Sequence, residues 1–167
     1  MADDFEDVSQ FGLTEEREQV LYDKQTECTF MWTNSAGEPV GVIMNYLLHE
    51  GSFWLTATRQ RARVPAIERD PRVAIAISSR GTDIGVTQSL THKGTATVHE
   101  DQVTKDWFYP ALAARVRPDS ETQQAAFVDH LDSPGRVVIE VVPTKRISFD
   151  SELMLKDSPA GMSRSQL

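Results

Sequence analysis

Residues 56–72 concentrate the side chains best suited to chemistry. Two hydroxyls, Thr56 and Thr58, end a predicted strand, and a short helix is predicted to follow. The loop after this strand contains Arg59 and Arg61, and Arg63 begins the helix. Helix starts offer unpaired N–H groups and partial positive charge, and arginine binds phosphate through two parallel hydrogen bonds. The pattern therefore predicts an anion site suited to a phosphate group.

The same arginines also have a structural interpretation. The chain has 25 acidic residues against 17 Lys and Arg, for a net charge of −8. The arginines could therefore pair with surplus carboxylates or stay in a solvated loop, where ion pairs are weak. The negative surface disfavours phosphodiester backbones and anionic lipids. We expect a small-molecule substrate, with neither nucleic acid nor membrane as a partner.

The surrounding pattern predicts the elements that position this segment. A chain of 167 residues with 40% hydrophobic content suits one domain. Turn signals and β-branched or aromatic runs predict six strands: 28–33, 39–48, 53–58, one beginning at 73, 89–99, and 136–143 with an extension towards 149. A helix over 63–70 and two helices within 101–130 complete the set. Six strands close most economically as an antiparallel barrel with helices at its ends, because closure removes exposed edges.

The ends of the chain differ from this central domain. Residues 1–13 are acidic and are expected to form a flexible arm, residues 14–150 the domain, and residues 151–167 a loose polar tail. Thr14 suits the N-cap of a helix whose Leu13, Val20 and Leu21 face the core.

Metal binding and export have little support in the sequence. Cys28 is the only cysteine, so neither an intrachain disulfide nor a multi-thiolate metal site can form. The four histidines lack a recognised ligand spacing, and we predict no metal site. The N-terminus shows no export signal, and the longest apolar stretch, 40–48, is far short of the ~20 residues of a membrane span. We expect a cytoplasmic protein.

The order of several motifs resembles a known family. A hairpin turn with Gly37-Glu38-Pro39, a strand ending in Thr-x-Thr, a basic loop, a short helix and then Arg-Asp-Pro-Arg-Val at 69–73 follow one another. This order is similar to that of the pyridoxamine 5′-phosphate oxidase-like split-barrel superfamily, with a closer likeness to actinobacterial flavin and deazaflavin (F420) oxidoreductases. It covers roughly residues 14–149. The resemblance implies a mainly β (α+β) fold, a six-stranded antiparallel split β-barrel with flanking helices.

The resemblance also implies a site. The cofactor would lie at the interface of a homodimer, its phosphate held by Thr56, Thr58, Arg61 and Arg63. Residues on the second strand would line the cofactor ring, although barrel core is an equal alternative for them: Val42, Ile43, Met44 and Asn45. Trp54 shares a strand face with the two threonines, and we select it for ring stacking.

The implied activity is hydride transfer between cofactor and substrate, with no catalytic triad needed because the cofactor supplies the chemistry. The arginines favour F420, which adds a phosphodiester and a polyglutamate tail, over FMN with its single phosphate. An FMN-dependent oxidoreductase and a non-catalytic cofactor- or ligand-binding split barrel are the alternatives. The chain lacks the Ser-Arg-Lys and Arg-Leu-x-Pro patterns of true pyridoxamine phosphate oxidases, which disfavours that specific activity.

Overall fold

The computed structural model describes residues 8–156. The strands are β1 Glu27–Thr33, β2 Pro39–Asn45, β3 Leu47–His49, β4 Ser52–Thr58, β5 Arg72–Ser78, β6 Gln88–His99 and β7 Arg136–Asp150. The helices are α1 Glu15–Lys24, α2 Arg63–Arg69, α3 Gln102–Val116, α4 Glu121–Leu131 and α5 Ser151–Leu155, preceded by a 3-10 helix at Val8–Phe11. No helix in this part of the chain is long and apolar enough to cross a membrane.

All strands belong to one antiparallel sheet in the order β2-β1-β5-β6-β7-β4-β3. The two edge strands, β2 and β3, are consecutive in the chain and are separated only by Tyr46. The sheet therefore curls until its edges meet at this residue. This confirms the predicted split barrel and its mainly β class.

The strand count is seven, and the prediction of six was wrong at one place. The predicted strand 39–48 divides at Tyr46, because the chain changes partner there. Asn45 pairs with Glu27 in β1, whereas Leu47 pairs with Trp54 in β4. Hydrophobic periodicity continues across the division, so the pattern alone shows one strand.

Two apolar clusters hold the structure together. The larger fills the barrel and includes fully buried Phe30, Leu55 and Ile75. The smaller lies between the sheet and the helices α3 and α4, and consists of Phe108, Tyr109, Leu112, Leu131 and Val138. The second cluster fixes α3 and α4 against β4 and β7, where the candidate site lies.

Helix α1 begins as predicted, since the Thr14 side chain accepts a hydrogen bond from the backbone N–H of Arg17 at 3.3 Å. Leu13 and Leu21 are buried as predicted. Val20 is 40% exposed, so the prediction that it faces the core was wrong. At ~100° per residue, Val20 lies about 200° around the helix from the inward-facing Glu18. The buried face of α1 is partly polar, and apolar periodicity does not reveal such a face.

This polar face joins α1 to β6 and β7. The buried Glu18 forms an ion pair with Arg146, with 2.9 Å between the carboxylate oxygen and the guanidinium nitrogen. The Tyr22 hydroxyl lies 2.7 Å from Nε2 of the buried His92. Burial and the positive charge of Arg146 lower the pKa of His92. The neutral imidazole is therefore favoured, and it shares a hydrogen bond with the Tyr22 hydroxyl.

The chain ends contain short helices. Val8–Phe11 and Ser151–Leu155 contact each other, and the Asp150 side chain caps the second at its start. Asp150 also forms an ion pair with Arg17 at 2.5 Å. The remaining parts of the predicted arm and tail, residues 1–7 and 157–167, lie outside the described residues.

We expect His92 to make the free energy of unfolding depend on pH. The unfolded chain protonates this imidazole near its ordinary pKa of 6.5, whereas the folded protein resists protonation until lower pH. The unfolded state therefore binds more protons, and stability falls as pH drops below about 6.5 until the lowered folded pKa is passed. Urea unfolding at several pH values between 7.5 and 5 measures this loss. His92→Gln, which keeps a hydrogen-bond acceptor but does not titrate, should lose less stability over the same range; an identical pH dependence would contradict the assignment.

Candidate anion-binding site

A cleft of about 450 Å³ opens where β2 and β4 end and β7 begins, beside α3 and α4. Its walls combine hydroxyls, arginines and apolar side chains. The lining residues are Met44, Asn45, Thr56, Ala57, Thr58, Arg61, Arg63, Leu112, Phe127, His130, Leu131 and Arg136. The division of the predicted second strand at Tyr46 brings the end of β2 to this cleft.

The structure brings most of the predicted site residues to the cleft. Those that line it are Met44, Asn45, Thr56, Thr58, Arg61 and Arg63. The other three lie elsewhere in the described structure. Val42 packs against the barrel core, and Ile43 is 64% exposed. Trp54 joins the smaller cluster, where its ring meets that of Trp107 edge-on at 4.9 Å between centroids.

The three loop arginines divide into two kinds. Arg59 pairs with Glu68 at 3.0 Å and with Glu100, as the structural interpretation expected. Within residues 8–156, Arg61 and Arg63 form no ion pair with any carboxylate and line the cleft instead. In an acidic chain, two adjacent unpaired cations require an electrostatic explanation, because their repulsion opposes folding.

Arg63 is the more constrained of this pair. Its guanidinium lies 5.7 Å from the centroid of the Trp32 ring. Its Nε is buried and has no hydrogen-bond partner within the described residues. Burial and the charge of Arg61 lower the pKa of Arg63. A buried donor without a partner is unfavourable until a ligand or water accepts its hydrogen bond.

Arg136 is a third cleft arginine that the sequence interpretation missed. It is the first residue of β7 and pairs with Thr58 across the sheet. Its Nε is also buried without a partner in the described part of the chain. The available signal was an arginine at the start of the last predicted strand. Using that signal required the pairing of β7 with β4, which the sequence does not specify.

The threonines and the helix start contribute differently from the prediction. The Thr56 hydroxyl donates to the backbone carbonyl of Val137 at 2.8 Å, so toward the cleft its oxygen can only accept. At the start of α2, the N–H of Val64 donates to Arg61, that of Ala66 donates to Ala62, and Pro65 has none. The positive character of the cleft therefore comes mainly from arginine side chains and little from helix amides.

Comparison with known proteins follows this geometry. The family model described as pyridoxamine 5′-phosphate oxidase matches residues 13–148. The chain belongs to this family. No curated protein sequence matches it.

Several solved structures share the family fold. A conserved hypothetical protein from Mycobacterium tuberculosis is 19% identical, with a TM-score of 0.71 over 83% of this chain and 85% of that protein. An F420 reductase is 20% identical, with a TM-score of 0.59 over 77% of this chain and 94% of its own. The heme storage protein HutZ from Vibrio cholerae is 10% identical, with a TM-score of 0.59 over 81% and 94% of the two chains. At these identities the likeness concerns the fold.

The unpaired charge of Arg63 predicts a measurable effect on the ligand-free protein. Arg63→Met keeps an apolar stem against Trp32 and removes the repulsion from Arg61. We expect its melting temperature to rise by roughly 1 to 3 °C, with a smaller gain at high salt. Arg59→Met is the matched control, because it removes the ion pairs with Glu68 and Glu100 and should leave the melting temperature unchanged or slightly lower. Equal losses in both variants, measured by calorimetry, would show that Arg63 serves stability.

Proposed function

We propose that the cleft binds a flavin-type cofactor, coenzyme F420 in preference to FMN, and that the protein is an oxidoreductase transferring a hydride between this cofactor and a small organic substrate. The observation that carries the proposal is the pair Arg61 and Arg63. Both line the cleft without a carboxylate partner in residues 8–156, beside the hydroxyl of Thr58. Arginine forks bind phosphate through paired hydrogen bonds, and a hydroxyl can add a further hydrogen bond to the same group.

The residues of the cleft fit such a cofactor. The buried, unpartnered Nε atoms of Arg63 and Arg136 require acceptors, which phosphate oxygens supply. Leu112, Phe127 and Leu131 of α3 and α4 form an apolar wall of the same cleft. A volume of about 450 Å³ lies within the range of small-molecule sites. The family match and the shared fold with an F420 reductase support the same class of cofactor.

Each part of the chain has a defined task in this proposal. The bound cofactor would supply the hydride chemistry. Arg61, Arg63 and Thr58 would hold its phosphate end and so set the position of the ring. Met44 and Asn45, at the end of β2, would contact the ring. The apolar wall from α3 and α4 would exclude water, which strengthens the ionic contacts inside the cleft.

The charge of the site favours F420 over FMN. FMN carries one phosphate, whereas F420 carries a phosphodiester and several carboxylates, which match a larger number of unpaired arginines. An FMN-dependent oxidoreductase is the second candidate, favoured by the family match itself. A binding protein without catalysis is the third, and the heme storage protein with this fold makes it a distinct outcome of the test.

Fluorescence titration of the purified protein with F420 and with FMN tests the proposal. We expect F420 to bind more tightly, and Arg63→Ala to weaken its binding by about tenfold to a hundredfold, since each charge-assisted contact contributes roughly 1.5 to 3 kcal/mol. Arg63→Lys should retain most of the affinity because it keeps the charge. Arg59→Ala, in the same loop but paired with Glu68 and Glu100, should bind like the wild type.

Other results would redirect the proposal. Protein that retains bound FMN through purification, or binds it more tightly, would reverse the cofactor preference. Tight binding of F420 without oxidation of its reduced form by any quinone-like or unsaturated acceptor would favour the non-catalytic alternative. Failure to bind either cofactor would refute the flavin-type assignment.

We propose further that a second copy of the chain completes the site, in a cytoplasmic homodimer. The outward face of β1, β2 and β5 carries small or apolar side chains next to the cleft. Ile43 lies opposite Thr29, which also pairs with Ala76, and Met31 pairs with Ala74. The centre of this face is uncharged, with Glu27 and Arg72 at its ends. An exposed apolar side chain such as Ile43, which is 64% exposed, is typical of a subunit interface. The face adjoins Met44 and Asn45 of the cleft.

Light scattering on a sizing column tests this assembly. We expect a mass near twice 18.7 kDa at micromolar concentration. Ile43→Lys should shift the protein toward monomer and weaken cofactor binding, because a charge on this face opposes its burial. Val103→Lys is the control, since Val103 is 78% exposed on α3 and lies outside the proposed interface. A monomeric wild type that binds one cofactor per chain would exclude the shared site.

A further inference from the structure

The imidazole of His130 is the one histidine ring without a hydrogen-bond, ion-pair or ring partner within residues 8–156. Each of the other three rings contacts a partner: a tyrosine hydroxyl, a carboxylate oxygen or an indole ring. These three are His92, His99 and His49. His130 is also the only histidine that lines the cleft. From this contrast we infer that His130 is the proton donor of the cleft, the group that passes a proton to the bound ligand.

Helix α4 turns this imidazole toward the cleft. Phe127 lies three residues before His130 and four before Leu131, a spacing that puts all three on one face of the helix. All three line the cleft. Leu131 is buried in the smaller apolar cluster, whereas His130 is exposed. The imidazole therefore lies at the rim of the cleft, where it can reach both a bound ligand and solvent.

The charged groups on the cleft side of this imidazole are cations. Those that line the cleft with it are Arg61, Arg63 and Arg136. From α3, the Arg117 guanidinium lies 5.7 Å from the ring centroid of Phe127, one turn before His130 on α4. Tyr109 of α3 is buried, and burial raises its pKa, so its hydroxyl stays uncharged near neutral pH.

No carboxylate compensates His130 in the described part of the chain. Asp129 and Asp132, the nearest acidic residues in sequence, are exposed, and neither forms an ion pair with it. An anion in the cleft would supply the missing negative charge, and an opposite charge nearby favours the charged form of an ionisable group. Binding of an anionic ligand and uptake of a proton by His130 are therefore coupled.

Histidine is the residue type in this cleft that can exchange a proton near neutral pH. Its charge changes between pH 5 and pH 8, whereas arginine stays protonated. The remaining lining side chains are hydroxyls, an amide, a thioether and hydrocarbons, which do not ionise in this range. The hydroxyl of Thr56 is also committed to the backbone carbonyl of Val137. Of the residues that line the cleft, His130 is therefore the one general acid.

The inference rests on the proposed function, because reduction of an unsaturated acceptor needs a proton as well as a hydride. In a conjugated enone, the hydride bonds to the β-carbon, the C=C π bond breaks, and its electron pair moves to the carbonyl oxygen. The N–H bond of the His130 imidazolium then breaks, and its proton goes to that oxygen. The reduced cofactor supplies the hydride, is oxidised by two electrons and releases one proton to water, from which neutral His130 regains its own at the rim.

Calorimetric titration of the full-length protein with sulfate, at about pH 6 and about pH 8, tests the coupling without any cofactor. Sulfate keeps its charge over this range, so a change in affinity reports on the protein. We expect wild type to bind sulfate roughly three- to tenfold more tightly at the lower pH, because protonated His130 adds a cation to the cleft. His130→Gln should lose this difference, and His130→Lys should bind tightly at both pH values. His99→Gln is the matched control and should keep the difference.

Turnover of reduced F420 with cyclohexenone and with menadione as acceptors tests the proton transfer. We expect His130→Gln to lower kcat by roughly tenfold to a hundredfold with little change in KM, because a general acid typically contributes a hundredfold or more in the transition state. In wild type, kcat should fall as pH rises above about 7, because less His130 is protonated. His130→Gln should remove this fall, and His99→Gln should retain it.

Each outcome decides the inference. It is overturned if sulfate shows no pH-dependent binding to wild type, if His130→Gln keeps the full pH dependence, or if His130→Gln turns over like wild type. His130→Lys guards against damage to the fold, since it keeps a cation at the rim and should still bind sulfate. If wild type binds neither F420 nor FMN, or reduces neither acceptor, the proposed function fails, whereas the sulfate titrations still decide whether His130 exchanges a proton on binding an anion.

Discussion

Closure of the sheet at Tyr46 is the constraint on which the other features depend. On one side of Tyr46 the chain pairs with β1 as strand β2, and on the other side it pairs with β4 as strand β3. The Tyr46 side chain is fully buried and contacts Phe53, with ring centroids 5.8 Å apart. Arg115 lies 5.1 Å from the centroid of the Tyr46 ring and donates to backbone carbonyls of Tyr22 and Gln25 at the end of α1. Tyr46 thus lies where the two sheet edges meet, and Arg115 of α3 connects it to the end of α1. Closure of the sheet also brings the end of β2 beside β4, which forms the cleft.

Charges are distributed unevenly around this frame. Where α1 meets β6 and β7, the buried Asp150 and Glu18 form ion pairs with Arg17 and Arg146. Ionic groups there help to specify how the helix packs on the barrel. The opposite holds in the cleft, where the half-buried Arg63 and Arg136 and the exposed Arg61 have no carboxylate partner in the described structure. On the proposed function, this arrangement would sacrifice stability for the capacity to bind an anion, a common feature of functional sites.

Trp54 illustrates why local sequence misplaces some candidates. It alternates with Thr56 and Thr58 on one strand face, and all three do point to the same side of β4. Only the threonines reach the cleft, because α3 covers the earlier part of the strand and packs Trp107 and Phe108 against Trp54. The position of a helix from residues 102–116 over a strand from residues 52–58 is a long-range fact that strand periodicity does not contain.

The sequence by itself determined the barrel class, most strand positions and the basic loop, because alternation, turn residues and charge are local properties. It left the three loop arginines equivalent. Only the tertiary structure separated Arg59, which reaches Glu68 and Glu100, from the pair that lines the cleft, and only the pairing of β4 with β7 added Arg136. The physical reason is that a guanidinium is either free to bind a ligand or held in an ion pair, depending on which residues the fold brings next to it from elsewhere in the sequence.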